Sequence, residues 1–140
     1  MVVIDTNIVS ELMRAEPSAE VLAWMDERPA RKLVVKAVTE AEVRTGIALR
    51  PDGRRRRGLA EACELAFGSL FVGRVLPFDG DAARAFAEIA SARRVLGRPV
   101  SQADRQIASI ARSCGMAVAT RNIRDLEEIG IEISDPWNGG

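Results

Sequence analysis

Three carboxylates, Asp5, Glu42 and Asp104, and one amide, Asn122, have the types and placement to do chemistry together. A carboxylate accepts hydrogen bonds, takes a proton and binds hard cations. Several carboxylates in one cleft repel one another unless a cation joins them. The chain has 0 histidines. That removes the commonest general base, and with it Ser-His-Asp and Cys-His catalysis. It also removes the usual ligand for zinc, copper and non-haem iron. A cation held here must be held by oxygen atoms, which suits Mg²⁺ or Mn²⁺. Such an ion polarises a phosphate and activates water. That is the chemistry of phosphodiester hydrolysis.

These residues meet only if the elements carrying them bring them to one place. Residues 1–5 read as a short buried strand, and 6–14 and 18–27 as helices broken at Pro17. LVVKAV, 33–38, is a second apolar, β-branched strand. Helical spacing follows over 39–50 and stops at the PDG of 51–53. A long helix spans about 56–71, a short strand 74–78, and further helices 80–97 and 101–115. MAVAT, 116–120, is a strand, RDLEEIG a short helix, and IEIS a final strand. Strands alternating with helices predict one α/β domain over 1–140, with a parallel sheet covered on both faces.

In such a sheet, ligands gather beyond the carboxyl ends of the strands. Asp5 ends the first strand. Glu42 and Asp104 lie in the first turns of the helices at 39 and 101, and Asn122 follows the MAVAT strand. Right-handed crossovers put those helix starts on the same rim as the strand ends. Each residue also has a purely structural reading. Thr39 to Glu42 is a T-x-x-E capping box, Ser101 to Asp104 is similar in form, and Asn122 to Asp125 is a near-match. Acidic residues in a first turn also favour the helix dipole by ~0.3–1 kcal/mol each. Asp5 is harder to explain as a cap.

Composition narrows the classes further. With 140 residues, 47 % of them hydrophobic, the chain can bury a core without disulfide or metal staples. The apolar start has no charged segment before it and does not read as a signal peptide. No stretch reaches the ~20 apolar residues of a membrane span. Cys63 and Cys114 read as buried free thiols, and the expected compartment is the cytoplasm. Net charge is +0, and all but Lys32 and Lys36 of the 20 basic residues are Arg, which suits bidentate contact with phosphate.

The segments VVIDTNIVSEL, VTEAEVRTGIAL, SQADRQIASIAR and AVATRNIRDL, followed by DPW, resemble the PIN-domain ribonuclease toxins of bacterial toxin–antitoxin pairs, the VapC and FitB-like group. The matches fall in order across nearly the whole chain. The resemblance implies a single PIN-like α/β domain and a Mg²⁺-dependent endoribonuclease toxin, with Mn²⁺ as a substitute. It places Asp5, Glu42 and Asp104 on the family's acidic metal-site positions, with Asp5 and Asp104 as direct ligands. Glu40 does not align with these positions, whereas Glu42 does. Many relatives carry a fourth aspartate where this chain has Asn122, whose amide oxygen can bind a metal but carries no charge. Asp125 compensates if its loop turns inward. Thr6 and Asn7 organise the strand end. The implied partners are an RNA substrate, a cognate antitoxin that blocks the site, and a second copy in a homodimer.

Other features admit two readings. Arg54 to Arg57 could grip RNA phosphates or form a solvated helix start, and Arg44 and Arg121 are better phosphate candidates. Trp24, Met25, Phe67 and Phe71 read as core, or as a groove for a partner, rather than as a base-stacking platform. Leu12, Met13, Leu22 and Met25 of the early helices are candidates for a partner groove. Two rivals to the nuclease reading stand. A haloacid-dehalogenase-like phosphatase also ends its first strand in Asp, but needs D-x-D where this chain has Asp5-Thr6-Asn7. A catalytically silent RNA- or antitoxin-binding module is favoured by Asn122.

Overall fold

A computed structural model describes residues 1–139. The elements in order are β1 (Val2–Ile4), α1 (Thr6–Leu12), α2 (Ala19–Asp26), β2 (Leu33–Lys36), α3 (Ala37–Ala48), α4 (Arg54–Leu65), β3 (Val75–Leu76), α5 (Gly80–Val95), α6 (Gln102–Cys114), β4 (Ala117–Ala119), α7 (Ile123–Leu126) and β5 (Ile133–Ser134). The strands pair in the order β3-β2-β1-β4-β5, all parallel. The predicted sequence of strands and helices is the one found.

β1 lies at the centre of the sheet because its residues are buried on both faces. Val3 faces a core cluster with Val34, Val118, Ile89 and Ile107. Ile4 faces the other way, onto Ile8, Trp24, Val35, Phe67 and Phe71. The period of two along each strand thus supplies both cores from the same short runs. Each fully buried aliphatic side chain contributes about 1.5–3 kcal/mol. Trp24, Phe67 and Phe71 are core, as expected, and Met25 packs against them.

Several boundaries differ from the sequence reading. α3 starts at Ala37, so Ala37 and Val38 are helical and not the end of β2. The long helix ends as α4 at Leu65 and continues as a π-helical turn, Ala66–Leu70, which turns Phe67 and Phe71 into the core. Cys63 is buried as expected, but Cys114 is exposed. It is the last residue of α6, one turn beyond the last buried residues, Ile110 and Ala111. Gly115 (φ 67°) ends that helix in the left-handed conformation. Its N–H bonds the Arg112 carbonyl at 3.3 Å, and the Met116 N–H bonds the Ala111 carbonyl at 2.8 Å. This is a Schellman closure. Replacing Gly115 with Ala should cost about 1 kcal/mol, measured by urea unfolding. No helix among the described residues is long and apolar enough to cross a membrane.

Candidate functional site

The carboxyl ends of β1, β2 and β4 form one rim, and the site is built there by short side chains acting across chain neighbours. Asp5 follows β1 directly and is 7 % exposed. It caps α1 through its Oδ1, which accepts from the Thr6 N–H at 2.8 Å. Its Oδ2 accepts from the Thr120 hydroxyl at 2.7 Å and from the Asn7 amide at 3.4 Å. Thr120, fully buried just after β4, also accepts from the Asn7 amide (3.3 Å) and from the Asn122 N–H (3.0 Å). One hydroxyl therefore ties the first motif to the fourth. Asn7 Oδ1 is buried and has no hydrogen-bond partner. Asn7 occupies the place of the second acid that phosphatase chemistry requires, and its amide donates to Asp5 instead.

Asp104 enters the rim from α6. Ser101 caps that helix, accepting from the Asp104 N–H at 3.2 Å and donating to Asp104 Oδ2 at 3.0 Å. The capping reading of this segment holds, and it orients the carboxylate. Burial pushes the Asp104 carboxyl above the ordinary aspartate range. The charges of Asp5 and Asp125 push it the same way. The bond from Ser101 and the amide of Asn122 pull the other way. Asp5, Asp104, Asn122 and Asp125 thus lie within electrostatic reach of one another. Asn122 stands at the start of α7 but makes no capping bond through its side chain.

Glu42 is placed differently. The Thr39–Glu42 capping box is not formed, because α3 starts at Ala37 and has no side-chain cap. Thr39 is buried inside the helix, and its hydroxyl meets that of Thr6 at 2.9 Å. Glu42 Oε1 lies 3.5 Å from the Thr6 hydroxyl and 3.4 Å from Lys36 Nζ. The Lys36 side chain is 1 % exposed and that of Glu42 43 %. Lys36, the last residue of β2, extends its ammonium to the rim, a cation that the carboxylate-and-metal reading of the sequence did not include. Among the described residues, no three His, Cys, Asp or Glu side chains are grouped to hold one ion. Glu42 faces Lys36, whereas Asp5 and Asp104 form no ion pair among the described residues.

The oxygens that Asp5 and Asp104 bring to the rim are carboxylate oxygens, a hard donor set that fits Mg²⁺ or Mn²⁺. The orphaned Asn7 Oδ1 and the unneutralised charge pressing on Asp104 support that fit.

Three groups around the rim were not visible as partners in the sequence. Thr120 and Lys36 are two. Arg93 of α5 is the third: it is buried, and its guanidinium donates to the backbone carbonyls of Glu127 at 2.8 Å and Asp125 at 2.9 Å. This clasp fixes the segment carrying Asn122 and Asp125. Arg93→Met should cost about 2–4 kcal/mol in urea unfolding, since two charge-assisted bonds are removed and two carbonyls are left without them. A loss below about 0.5 kcal/mol would show that the clasp holds nothing. Of the expected phosphate ligands, Arg44 is committed elsewhere. It pairs with Glu40 at 2.7 Å and Glu64 at 2.6 Å, and those bonds hold its proton more tightly than usual. Arg121 is exposed and stacks on Trp137 at 4.4 Å, so the DPW segment supports it.

Residues 2–132 match the PIN domain family. This chain is a PIN domain. It is 41 % identical over 137 residues to "VapC ribonuclease Y4jK" of Sinorhizobium fredii, covering 98 % of both chains. It is 35 % identical over 138 residues to "Toxin FitB" of Neisseria gonorrhoeae, covering 99 % of both. Among solved structures, FitAcB from Neisseria gonorrhoeae superposes with a TM-score of 0.91 at 35 % identity, over 98 % of this chain and 99 % of that one. VapBC-5 from Mycobacterium tuberculosis, a member of the VapBC family of toxin-antitoxin systems, gives 0.71 at 27 % identity, over 94 % and 95 %. The PIN fold expected from the sequence is the one observed, and the chain sits in the VapC and FitB group of this family.

Proposed function

We propose that this PIN domain is the toxin of a toxin–antitoxin pair and cleaves RNA by hydrolysis at the Asp5–Asp104 rim. The observation that carries the reading is the pair of carboxylates, tied through Asn7, Thr120 and Asn122, with charge that no basic side chain among the described residues neutralises. Likeness to a VapC ribonuclease and to toxin FitB supports the same reading.

Asp5 and Asp104 would hold a divalent ion, with the Asn7 amide donating to Asp5 and the Asn122 amide beside Asp104. Such an ion, Mg²⁺ or Mn²⁺, would offset the phosphate charge and acidify water. The chain's own residues do the positioning. Thr120 and the Thr6 N–H hold Asp5 in one rotamer, and Ser101 does the same for Asp104. Glu42, held by Lys36 and Thr6 and half open to solvent, is placed to take a proton or to hold water at the far side. The test is cleavage of end-labelled RNA: activity with Mg²⁺, none in chelator, and recovery with Mn²⁺. Undiminished cleavage in chelator would sink the reading.

A silent binding module is the second reading. Asn122 lacks the fourth charge, and Glu42 is already paired with Lys36. It predicts RNA binding with no cleavage at any metal concentration.

Antitoxin binding is assigned to a groove of about 540 Å³ between α1 and the end of α4, lined by Leu12, Met13, Leu65, Leu70 and Phe71. Leu65 and Leu70 are 69 % and 40 % exposed. Of the anticipated early-helix residues, Leu12 and Met13 line this groove, Leu22 is exposed beyond it, and Met25 packs inward. An amphipathic antitoxin helix suits such a surface. Leu65→Asp should weaken the complex tenfold or more by titration with the cognate antitoxin, while the melting temperature stays within a few degrees. Unchanged affinity would place the antitoxin elsewhere.

A further inference from the structure

A second cleft opens on the same rim, on the Glu42 side. It has a volume of about 330 Å³ and is bounded by Thr6, Glu42, Gly46, Arg14, Arg50 and Arg55. The volume is at the low end of the range for small-ligand sites, enough for one strand's backbone. Arg50 follows the Leu49 C-cap of α3, Arg55 lies in the first turn of α4, and the Pro51–Gly53 turn sets them on one wall. Arg14 is partly spent on Glu11, at 3.3 Å. Arg50 and Arg55 form no ion pair among the described residues and are exposed. Their neighbours Arg54 and Arg57 do not line the cleft, and Arg56 pairs with Asp52.

Gly46 adds an independent observation. It lies inside α3, where glycine weakens a helix relative to alanine. Its φ is not in the left-handed region, and a Cβ there would meet nothing within 4 Å. Neither backbone geometry nor packing calls for glycine. The space a side chain would fill is the cleft itself.

We infer that this cleft binds the phosphodiester backbone of the single-stranded RNA on one side of the cut site, with Arg50 and Arg55 as its phosphate ligands. The inference rests on the nuclease reading above for the identity of the strand, and it deepens that reading by naming where the strand lies. Guanidinium forks match phosphate oxygens bidentately. Glu42 and Thr6 join the cleft to the Asp5–Asp104 rim, so a strand seated here enters the site directly.

The probe is a short fluorescein-labelled 2′-O-methyl RNA in chelator, which remains whole whichever mechanism the protein uses. Affinity is read by anisotropy across salt concentrations. Arg50→Gln with Arg55→Gln should weaken binding tenfold or more. It should also flatten the slope of log affinity against log salt by about 1.4, at ~0.7 for each phosphate no longer neutralised. Arg54→Gln with Arg57→Gln removes the same charge outside the cleft and should change affinity less than about threefold. Gly46→Met keeps every charge, should weaken binding, and should not lower the melting temperature. Equal losses from both arginine pairs would mean a diffuse field and would overturn the inference. So would a cleft variant that binds RNA normally but loses its antitoxin, which would assign the cleft to an acidic peptide. The two readings fail separately. Cleavage with unchanged KM in the Arg50/Arg55 variant defeats the cleft and spares the nuclease. Cleft-dependent binding without cleavage does the reverse.

Discussion

Asp104→Asn should lower the proposed RNA cleavage about 10²-fold or more while leaving the fold at least as stable as the parent. The rate loss follows from deleting one of the two carboxylates assigned to the ion, a preorganised charge interaction whose loss is costly in a partly buried site. The stability result follows from the same geometry. Burial and the charges of Asp5 and Asp125 raise the Asp104 carboxyl above its unfolded value. The folded state then binds that proton more tightly than the unfolded state does. The group's contribution therefore falls as pH rises from the ordinary aspartate range through the raised folded value, and the penalty is complete above it. Asn carries no such penalty and still accepts from Ser101. The melting temperature of the variant relative to the parent should rise with pH across this window and stay level or higher at neutral pH. A variant that cleaves like the parent would remove Asp104 from the chemistry. A variant that melts well below the parent would show its carboxylate to be structural.

Glu42 and Lys36 should respond unequally to truncation, by a larger margin than any surface pair in the molecule. Glu42→Ala leaves an ammonium that is 1 % exposed facing no acid, and the expected cost is about 3 kcal/mol. Lys36→Met leaves a carboxylate that is 43 % exposed and can hydrate, in a pocket that a thioether fills. Its cost should be about 1 kcal/mol or less. The double variant should recover most of the loss caused by Glu42→Ala alone, a coupling that a double-mutant cycle in urea reads directly. If Glu42→Ala cost no more than Lys36→Met, the buried lysine would not depend on Glu42.

The sequence showed the fold through its apolar runs. VVI, LVV and AVA are too short and too uniformly apolar for anything but strands buried on both faces, and the spacing between them leaves room only for helical crossovers. It placed the start of α3 two residues late because Val38 is β-branched and extends a β-branched run. Tertiary contact decided otherwise: Thr39 turns into the protein to meet Thr6. The π-helical turn after Leu65 had no local signal, since its cause is the demand that Phe67 and Phe71 both reach the core. In the site, Asp5, Asp104 and Asn122 were legible from their places at strand and helix ends, and the structure brings these three into electrostatic reach of one another. Lys36 was not legible, because a lysine after an apolar strand ordinarily points to solvent. Arg93 was hidden for another reason: its partners are backbone carbonyls 32 and 34 residues away, which leave no trace in side-chain patterning. Arg44 stood beside the motif glutamate and looked available, yet Glu40 and Glu64 claim it.

The central claim is hydrolysis by water at the Asp5–Asp104 rim, and the chemistry of the cut ends tests it most directly. A defined single-stranded RNA is cleaved with Mg²⁺, and both new termini are identified by mass. Attack by water in line with the departing 3′ oxygen leaves a 5′-phosphate and a 3′-hydroxyl, and that pair is the predicted result. A 2′,3′-cyclic phosphate with a 5′-hydroxyl would mean attack by the ribose 2′-hydroxyl and would contradict the account.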